Sequence, residues 1–148
     1  MTMKPKTILL VEDNPSDIEL TRRALQKCRI ANELVVAKDG VEALDYLFRS
    51  GSDLPALVLL DLKLPRMSGL DVLRRIRMEE SLRYLSVVVF TSSSEQSDII
   101  KSYNLGANSY MIKPTDFMQF MIAIDALGLY WLILNRTVPG KDDLWQTP

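Results

Sequence analysis

The stretch Ala56-Leu57-Val58-Leu59-Leu60-Asp61-Leu62-Lys63-Leu64-Pro65 constrains the fold more than any other part of the chain. An unbroken apolar run leads straight into an aspartate, and Pro65 then bars further strand pairing. A short run apolar at every position reads as a strand covered on both faces, the usual state in a parallel α/β sheet. In such sheets ligands bind beyond the carboxyl ends of the strands. Asp61 sits at such an end. Alone it reads more readily as a strand-end solubiliser, so its meaning depends on what the other strand ends supply.

Four more runs supply it. Thr7-Ile8-Leu9-Leu10-Val11 is a buried strand that ends at Glu12-Asp13, and Asn14-Pro15 then starts a helix, with Asn14 as cap and proline at the first helical position. That helix carries Ile18, Thr21, Leu25 and Cys28 on one face. Glu33–Ala37 is a second strand, and Asp39-Gly40 opens a helix predicted to turn Val41, Leu44, Leu47 and Phe48 inward. After the strand ending at Asp61, Ser68-Gly69 precedes a helix with Leu70, Leu73 and Ile76 inward and Arg74, Arg75 and Arg77 on a solvated face. Val87–Thr91 is the fourth strand. The polar tract from Ser92 leads into a helix carrying Ile99, Ile100 and Tyr103, which ends at Gly106. Ser109–Ile112 is the fifth strand, running into Lys113-Pro114, and Thr115 or Asp116 caps a last helix from Phe117. Five βα units with short connections and right-handed crossovers predict a doubly wound α/β fold on a five-stranded parallel sheet. Residues 7–134 read as one domain and 135–148 as a C-terminal extension.

The strand ends therefore bring Glu12, Asp13, Asp61, Thr91 and Lys113 to one edge. Three carboxylates together repel and resist full ionisation unless a cation sits among them. Oxygen donors alone favour a hard octahedral ion, Mg²⁺ or Mn²⁺, over zinc. The chain has no histidine, so the commonest general base and transition-metal ligand is absent. A carboxylate nucleophile beside Mg²⁺, a lysine and a hydroxyl is equipped to accept a phosphoryl group.

On these residues the chain resembles the receiver domains of two-component response regulators. The resemblance covers about residues 7 to 134. It rests on Glu12-Asp13, on Asp61 within Leu60–Gly69, and on Thr91-Ser92 and Lys113-Pro114, 30 and 52 residues beyond Asp61. The flavodoxin-like (βα)₅ receiver fold is what it implies. It further implies Asp61 as phosphoacceptor, Asp13 and Asp61 as direct Mg²⁺ ligands, Glu12 binding the metal through water, and the Lys63 carbonyl as backbone ligand. Thr91 and Lys113 would contact the phosphoryl oxygens, the Lys113–Pro114 bond would be cis, and Thr91 and Tyr110 would form the switch. Tyr110 also reads as a half-buried strand tyrosine. Lys63 and Ser93 stand at the two positions that, by the resemblance, tune water attack on the acyl phosphate, and the Lys63 side chain reads as pointing to solvent.

The partners follow in the same way. A sensor histidine kinase is implied upstream, and the function is signalling through a phosphorelay rather than enzymatic turnover. The sequence is similar in particular to single-domain regulators of cyanobacterial phytochrome kinases, in which the last helix region and a short extension, here near Asn135–Gly140, make a homodimer. Residues Phe117–Leu134 are apolar nearly all round, and Phe120, Ile124, Leu127, Tyr130, Trp131 and Leu134 read as surplus to the one stripe the sheet requires. Asp125 near the middle counts against a membrane span. The net charge of -1 and the lack of a basic stripe argue against nucleic acid. The single cysteine and the N-terminus, without a signal-peptide core, predict a cytoplasmic protein. With no DNA-binding or catalytic output domain in the sequence, the signal is expected to leave by protein contact.

Three rivals are weaker. A haloacid-dehalogenase-type phosphatase wants a second aspartate two positions after the nucleophile, where this chain has Lys63. A flavodoxin-like flavin binder needs a phosphate loop after the first strand, where Glu12-Asp13-Asn14-Pro15 stands. A degenerate receiver, acting as a phosphorylation-independent interaction module, requires a vestigial site, and no member of this one is missing.

Overall fold

The structure, a computed structural model, describes residues 6–27, 32–51 and 53–138. The prediction for Cys28 and most of the expected extension lie outside these residues. Five parallel strands, β1 (Lys6–Val11), β2 (Asn32–Ala37), β3 (Leu57–Leu60), β4 (Val87–Thr91) and β5 (Ser109–Ile112), form one sheet in the order β2-β1-β3-β4-β5. Helices α1 (Pro15–Gln26), α2 (Gly40–Arg49), α3 (Gly69–Met78), α4 (Gln96–Asn104) and α5 (Phe117–Leu129) connect and flank it. This is the doubly wound α/β architecture expected from the pattern, and the strand order is that of the flavodoxin-like fold the resemblance implies.

The unbroken apolar runs are explained by two cores. Leu9, Val11, Val58, Leu60, Val87 and Val89 face α2 and α3, while Ile8, Leu10, Leu57, Leu59, Val88 and Phe90 face α1 and α5. Successive strand side chains point to opposite faces, so with both faces covered no position is left for a polar residue. The caps follow the sequence: Asn14, Asp39, Ser68 and Asp116 accept from backbone N–H groups of the first turns of α1, α2, α3 and α5.

Several helix faces differ from the expectation. In α2 the stripe is Ala43, Leu44 and Leu47, and Phe48, one residue further round the cylinder, is exposed. In α4 Ile100 and Tyr103 are exposed while Ser102 is buried, its hydroxyl donating to the Asp98 carbonyl. Arg77 leaves the solvated face altogether. Its guanidinium donates to the carbonyls of Leu85 (2.7 Å) and Gly106 (3.0 Å) and to Asn108 Oδ1 (3.0 Å), lacing α3 to the start of β4 and the α4–β5 loop.

The largest revision concerns the last helix. Phe120, Ile124 and Leu127 are the sheet-facing stripe, not a surplus, and Trp131 packs against the same core. After Leu129 the helix loosens into a π-helical turn, Tyr130–Leu134, which turns Leu132 into the core. The Leu132 carbonyl accepts from Lys6 Nζ at the start of β1. Phe117–Leu134 is long and apolar enough to cross a membrane by length and composition, but its inner side closes the sheet. The surplus apolar face is instead Met118, Ile122, Leu129, Tyr130, Ile133 and Leu134, each exposed.

Candidate phosphoacceptor and metal site

The strand register places the site. Val11 pairs with Leu60, Leu60 with Val89, and Thr91 with Ile112. The residues that follow each strand therefore emerge side by side where the strand order reverses between β1 and β3, the position at which open α/β sheets bind ligands. Backbone bonds fix the exits: Asp61 N–H donates to the Val11 carbonyl (3.0 Å), Glu12 N–H to Ala37 (3.0 Å) and Lys113 N–H to Thr91 (2.7 Å).

Carboxylate oxygens of Glu12, Asp13 and Asp61 lie within 4.8 Å of one another, with Glu12 and Asp61 buried and Asp13 exposed. This is an oxygen-only set of the kind that Mg²⁺ or Mn²⁺ takes, and the two buried members leave the exposed one facing the direction of entry. The Lys113 ammonium bridges the cluster, donating to Glu12 Oε2 (2.7 Å), Asp17 Oδ2 (2.9 Å) and Asp61 Oδ2 (3.0 Å). Thr91 is fully buried, and its hydroxyl is among the groups that favour the ionised form of Asp61.

Burial, reinforced by the hydrogen bond with Asp61, pushes Glu12 up to about 7. Burial also works to raise Asp61, but the Glu12 hydrogen bond, the Lys113 charge and the Thr91 hydroxyl outweigh it and hold Asp61 below the usual carboxylate range. The two acids are thus pushed apart: burial draws Glu12 toward the proton, while Asp61 is held toward the ionised form that a nucleophile needs. Burial opposes the charge on Lys113, yet the hydrogen bonds it donates to Glu12 and Asp17 and the charge of Asp61 raise its affinity for the proton.

Lys63 has an exposed side chain, as read from the sequence, and its N–H leans toward Asp61 Oδ1 at 3.4 Å. Tyr110 is half-buried and its hydroxyl donates to the Ser93 carbonyl (2.9 Å), tying β5 to the β4–α4 loop. Ser93 is itself buried, and its hydroxyl is spent on Asp98 (2.6 Å) rather than turned to Asp61. The Lys113–Pro114 bond corrects the expectation of a cis peptide: every described peptide bond is trans. The two X–Pro isomers lie within about 1 kcal/mol of each other, so local sequence does not decide between them.

Sequence reasoning missed two members. Asp17 is the third carboxylate on Lys113, and Asn14-Pro15 was the available signal, since a helix starting there puts Asp17 in the first turn above the same edge. Arg66, with φ of 64°, closes on Asp39 Oδ2 through Nε (3.0 Å) and Nη2 (2.7 Å) and pins the β3–α3 loop to the start of α2. No local pattern announces a pair 27 residues apart.

A parallel sheet whose switch point carries an ionised aspartate, two further acids and a bridging lysine defines a phosphoryl-receiving signalling domain. Residues 8–125 match the response regulator receiver domain, and the chain belongs to that family. It is a response regulator of two-component signalling, in which a phosphoryl group is accepted on an aspartate from a histidine kinase. Among curated relatives, the probable methanogenesis regulatory protein FilR2 of Methanothrix harundinacea is 40% identical over 92% of this chain and 89% of its own length. The phosphorylated cyanobacterial phytochrome response regulator RcpA superposes with a TM-score of 0.86 at 35% identity, over 92% of this chain and all of that one. The bacteriophytochrome response regulator AtBRR is 51% identical over 90% of this chain and all of its own, with a TM-score of 0.68. Response regulator Rcp1 of Synechocystis, 36% identical over 86% of this chain and 90% of its own length, has been solved with Mn²⁺ bound. That structure has a TM-score of 0.84 and covers 91% of this chain and 100% of its own. A divalent-cation site formed by Glu12, Asp13 and Asp61 fits these relatives.

Proposed function

We propose that Asp61 is the phosphoacceptor. The observation that carries it is the Lys113 ammonium held 3.0 Å from Asp61 Oδ2 inside a cluster of acids. An Asp61 carboxylate oxygen attacks the donor phosphorus as the bond to the leaving group, an imidazole nitrogen or an acetate oxygen, breaks, and an acyl phosphate forms. Glu12, Asp13 and Asp61 would hold the cation, with the Lys63 carbonyl as the backbone ligand that the family resemblance implies. The cation supplies neutralisation of charge on the phosphoryl oxygens. Lys113 and the Thr91 hydroxyl stabilise those same oxygens, and Tyr110, through the Ser93 carbonyl, passes the state of the site to the β4–α4 loop.

With acetyl phosphate and Mg²⁺ the protein is expected to gain one phosphate by intact mass. Asp61→Asn is expected to gain none, and EDTA to stop the wild type. Undiminished labelling of Asp61→Asn overturns the assignment.

The likeness to RcpA and AtBRR supports a phytochrome-type histidine kinase as the donor, working in the cytoplasm. We read residues 7–134 as the receiver and 135–148 as an extension, with contact among proteins, rather than nucleic acid or membrane, as the output. The exposed face of Met118, Ile122, Leu129, Tyr130, Ile133 and Leu134 supports a homodimer with the same patch on both copies. Covering several hundred Å² of it is worth roughly 10 kcal/mol at about 25 cal/mol per Å², before association costs. Ile122 and Ile133 are the positions to test, because Trp131 belongs to the core. Ile122→Lys with Ile133→Lys is expected to shift the protein to monomer in sedimentation velocity, leaving phosphorylation intact. A wild type that is monomeric at tens of micromolar in both phosphorylation states excludes the homodimer.

A further inference from the structure

Lys113 has three ammonium protons, and three carboxylates consume them: Glu12, Asp17 and Asp61, at 2.7, 2.9 and 3.0 Å. Two of those acids, Glu12 and Asp61, also belong to the set that can close on a cation, whereas Asp17 does not. A divalent ion entering the cluster takes the charge of Glu12 and Asp61 for itself and repels the ammonium beside it. Lys113 then has one full counter-ion left, on the first turn of α1. That turn is well anchored. Asp17 N–H is held by the Asn14 cap (3.1 Å), and its carbonyl accepts from the Thr21 hydroxyl (2.8 Å).

From this juxtaposition we propose that Asp17 is a positioning residue acting through Lys113, the counter-ion that keeps the ammonium facing Asp61 once a cation occupies the site. The proposal rests on the phosphoreceiver reading and adds to it the device by which two cations coexist at one aspartate. Without Asp17 a long, flexible lysine next to a divalent ion swings out toward solvent, and the phosphoryl oxygens lose a stabilising charge that has to be in place beforehand. An acid in the first turn of a helix also has a purely structural use, favouring the helix N-terminus. That role involves no cation and no Lys113, which makes the two separable.

The test uses the full chain labelled with ¹⁵N. Ammonium protons of an exposed lysine exchange too fast to be seen near neutral pH, while a buried, fully hydrogen-bonded ammonium gives a signal, assigned here by its absence from Lys113→Ala. The wild type is expected to keep the Lys113 signal with and without Mg²⁺. Asp17→Asn is expected to keep it without Mg²⁺, where Glu12 and Asp61 still hold the ammonium, and to lose it on saturation with Mg²⁺. Asp17→Glu, which restores the charge, is expected to recover it. At saturating Mg²⁺, Asp17→Asn is expected to accept phosphate from acetyl phosphate about fivefold to tenfold more slowly, and to slow Lys113→Ala no further. A Lys113 signal that survives Mg²⁺ in Asp17→Asn overturns the proposal, as does slowing of equal size in the Lys113→Ala background. Failure of the wild type to take phosphate would instead overturn the receiver reading, and the Mg²⁺ dependence of the Lys113 signal would still decide the role of Asp17.

Discussion

Gly69→Ala is expected to destabilise the fold by about 3 kcal/mol or more, near the upper end of overpacking costs, and to cripple phosphorylation at a site it does not touch with any side chain. A Cβ built at Gly69 lies 2.1 Å from the Asp61 carbonyl oxygen, 2.7 Å from Leu62 Cα and 2.9 Å from the Asp61 carbonyl carbon. All three are backbone atoms, so no rotamer change relieves the clash. The same residue closes the β3–α3 loop by donating its N–H to the Leu62 carbonyl at 2.9 Å. Any accommodation therefore moves the peptide that carries the phosphoacceptor. A displacement of about 1 Å costs on the order of a hundredfold in rate when reacting groups must be aligned. Gly51→Ala is the control. Gly51 has a positive φ of 57° and open space around it, so alanine there costs only about 1 kcal/mol of backbone strain and leaves phosphorylation unchanged. Urea midpoints at constant m-value, with acetyl phosphate rates on the same samples, check both. A Gly69→Ala protein as stable and as reactive as the wild type refutes the close approach.

The contrast between Gly69 and Phe48 marks where local sequence stops being informative. The strands were legible because burial on both faces leaves only apolar residues, and strand ends share an edge whatever packs around them. Glu12, Asp13, Asp61, Thr91 and Lys113 were found by that logic alone. Helix faces were legible only to within one residue. Phe48 and Leu47 differ by one position and about 100° of rotation, and hydrophobicity does not choose between them when Ala43 already fills the stripe. Phe120, Ile124 and Leu127 looked surplus because α5 is apolar on every side, so its period carried almost no signal. Asp17, Arg66 and Arg77 were missed for a common reason. Each is a charged residue whose partner lies on another element, and sequence offers no hint that an arginine in a basic cluster such as Arg74, Arg75 and Arg77 turns back onto the carbonyls of Leu85 and Gly106 and the side chain of Asn108.

Lys113→Ala is expected to have two effects of opposite sign. Without metal, the substitution removes the ammonium from a cluster in which Glu12 and Asp61 are buried and paired to it at 2.7 and 3.0 Å. Breaking a buried pair by deleting one partner costs about 3–5 kcal/mol, because the remaining charge stays buried and uncompensated. That loss depends on pH in a definite direction. Glu12 holds its proton up to about 7, so below that value the cluster carries one negative charge fewer and needs Lys113 less. Above it Glu12 is ionised, and the destabilisation is at its largest. Lys113→Ala is thus expected to lose more stability at pH 8 than at pH 6. With Mg²⁺ the sign reverses, since the ion no longer competes with an ammonium for the same oxygens. Mg²⁺ affinity is expected to rise about tenfold or more, equivalent to about 1.4 kcal/mol per factor of ten, and saturating Mg²⁺ to restore much of the lost stability by mass action. The restored protein still lacks the charge that clamps phosphoryl oxygens, so beryllofluoride is expected to leave the fluorescence and NMR environment of Tyr110 unmoved. Urea denaturation at pH 6 and 8, with and without Mg²⁺, measures the first effect, and Mg²⁺ titration by calorimetry the second. A variant as stable as the wild type without metal at pH 8, or one that binds Mg²⁺ more weakly, would show that Lys113 is not the counter-charge of this site.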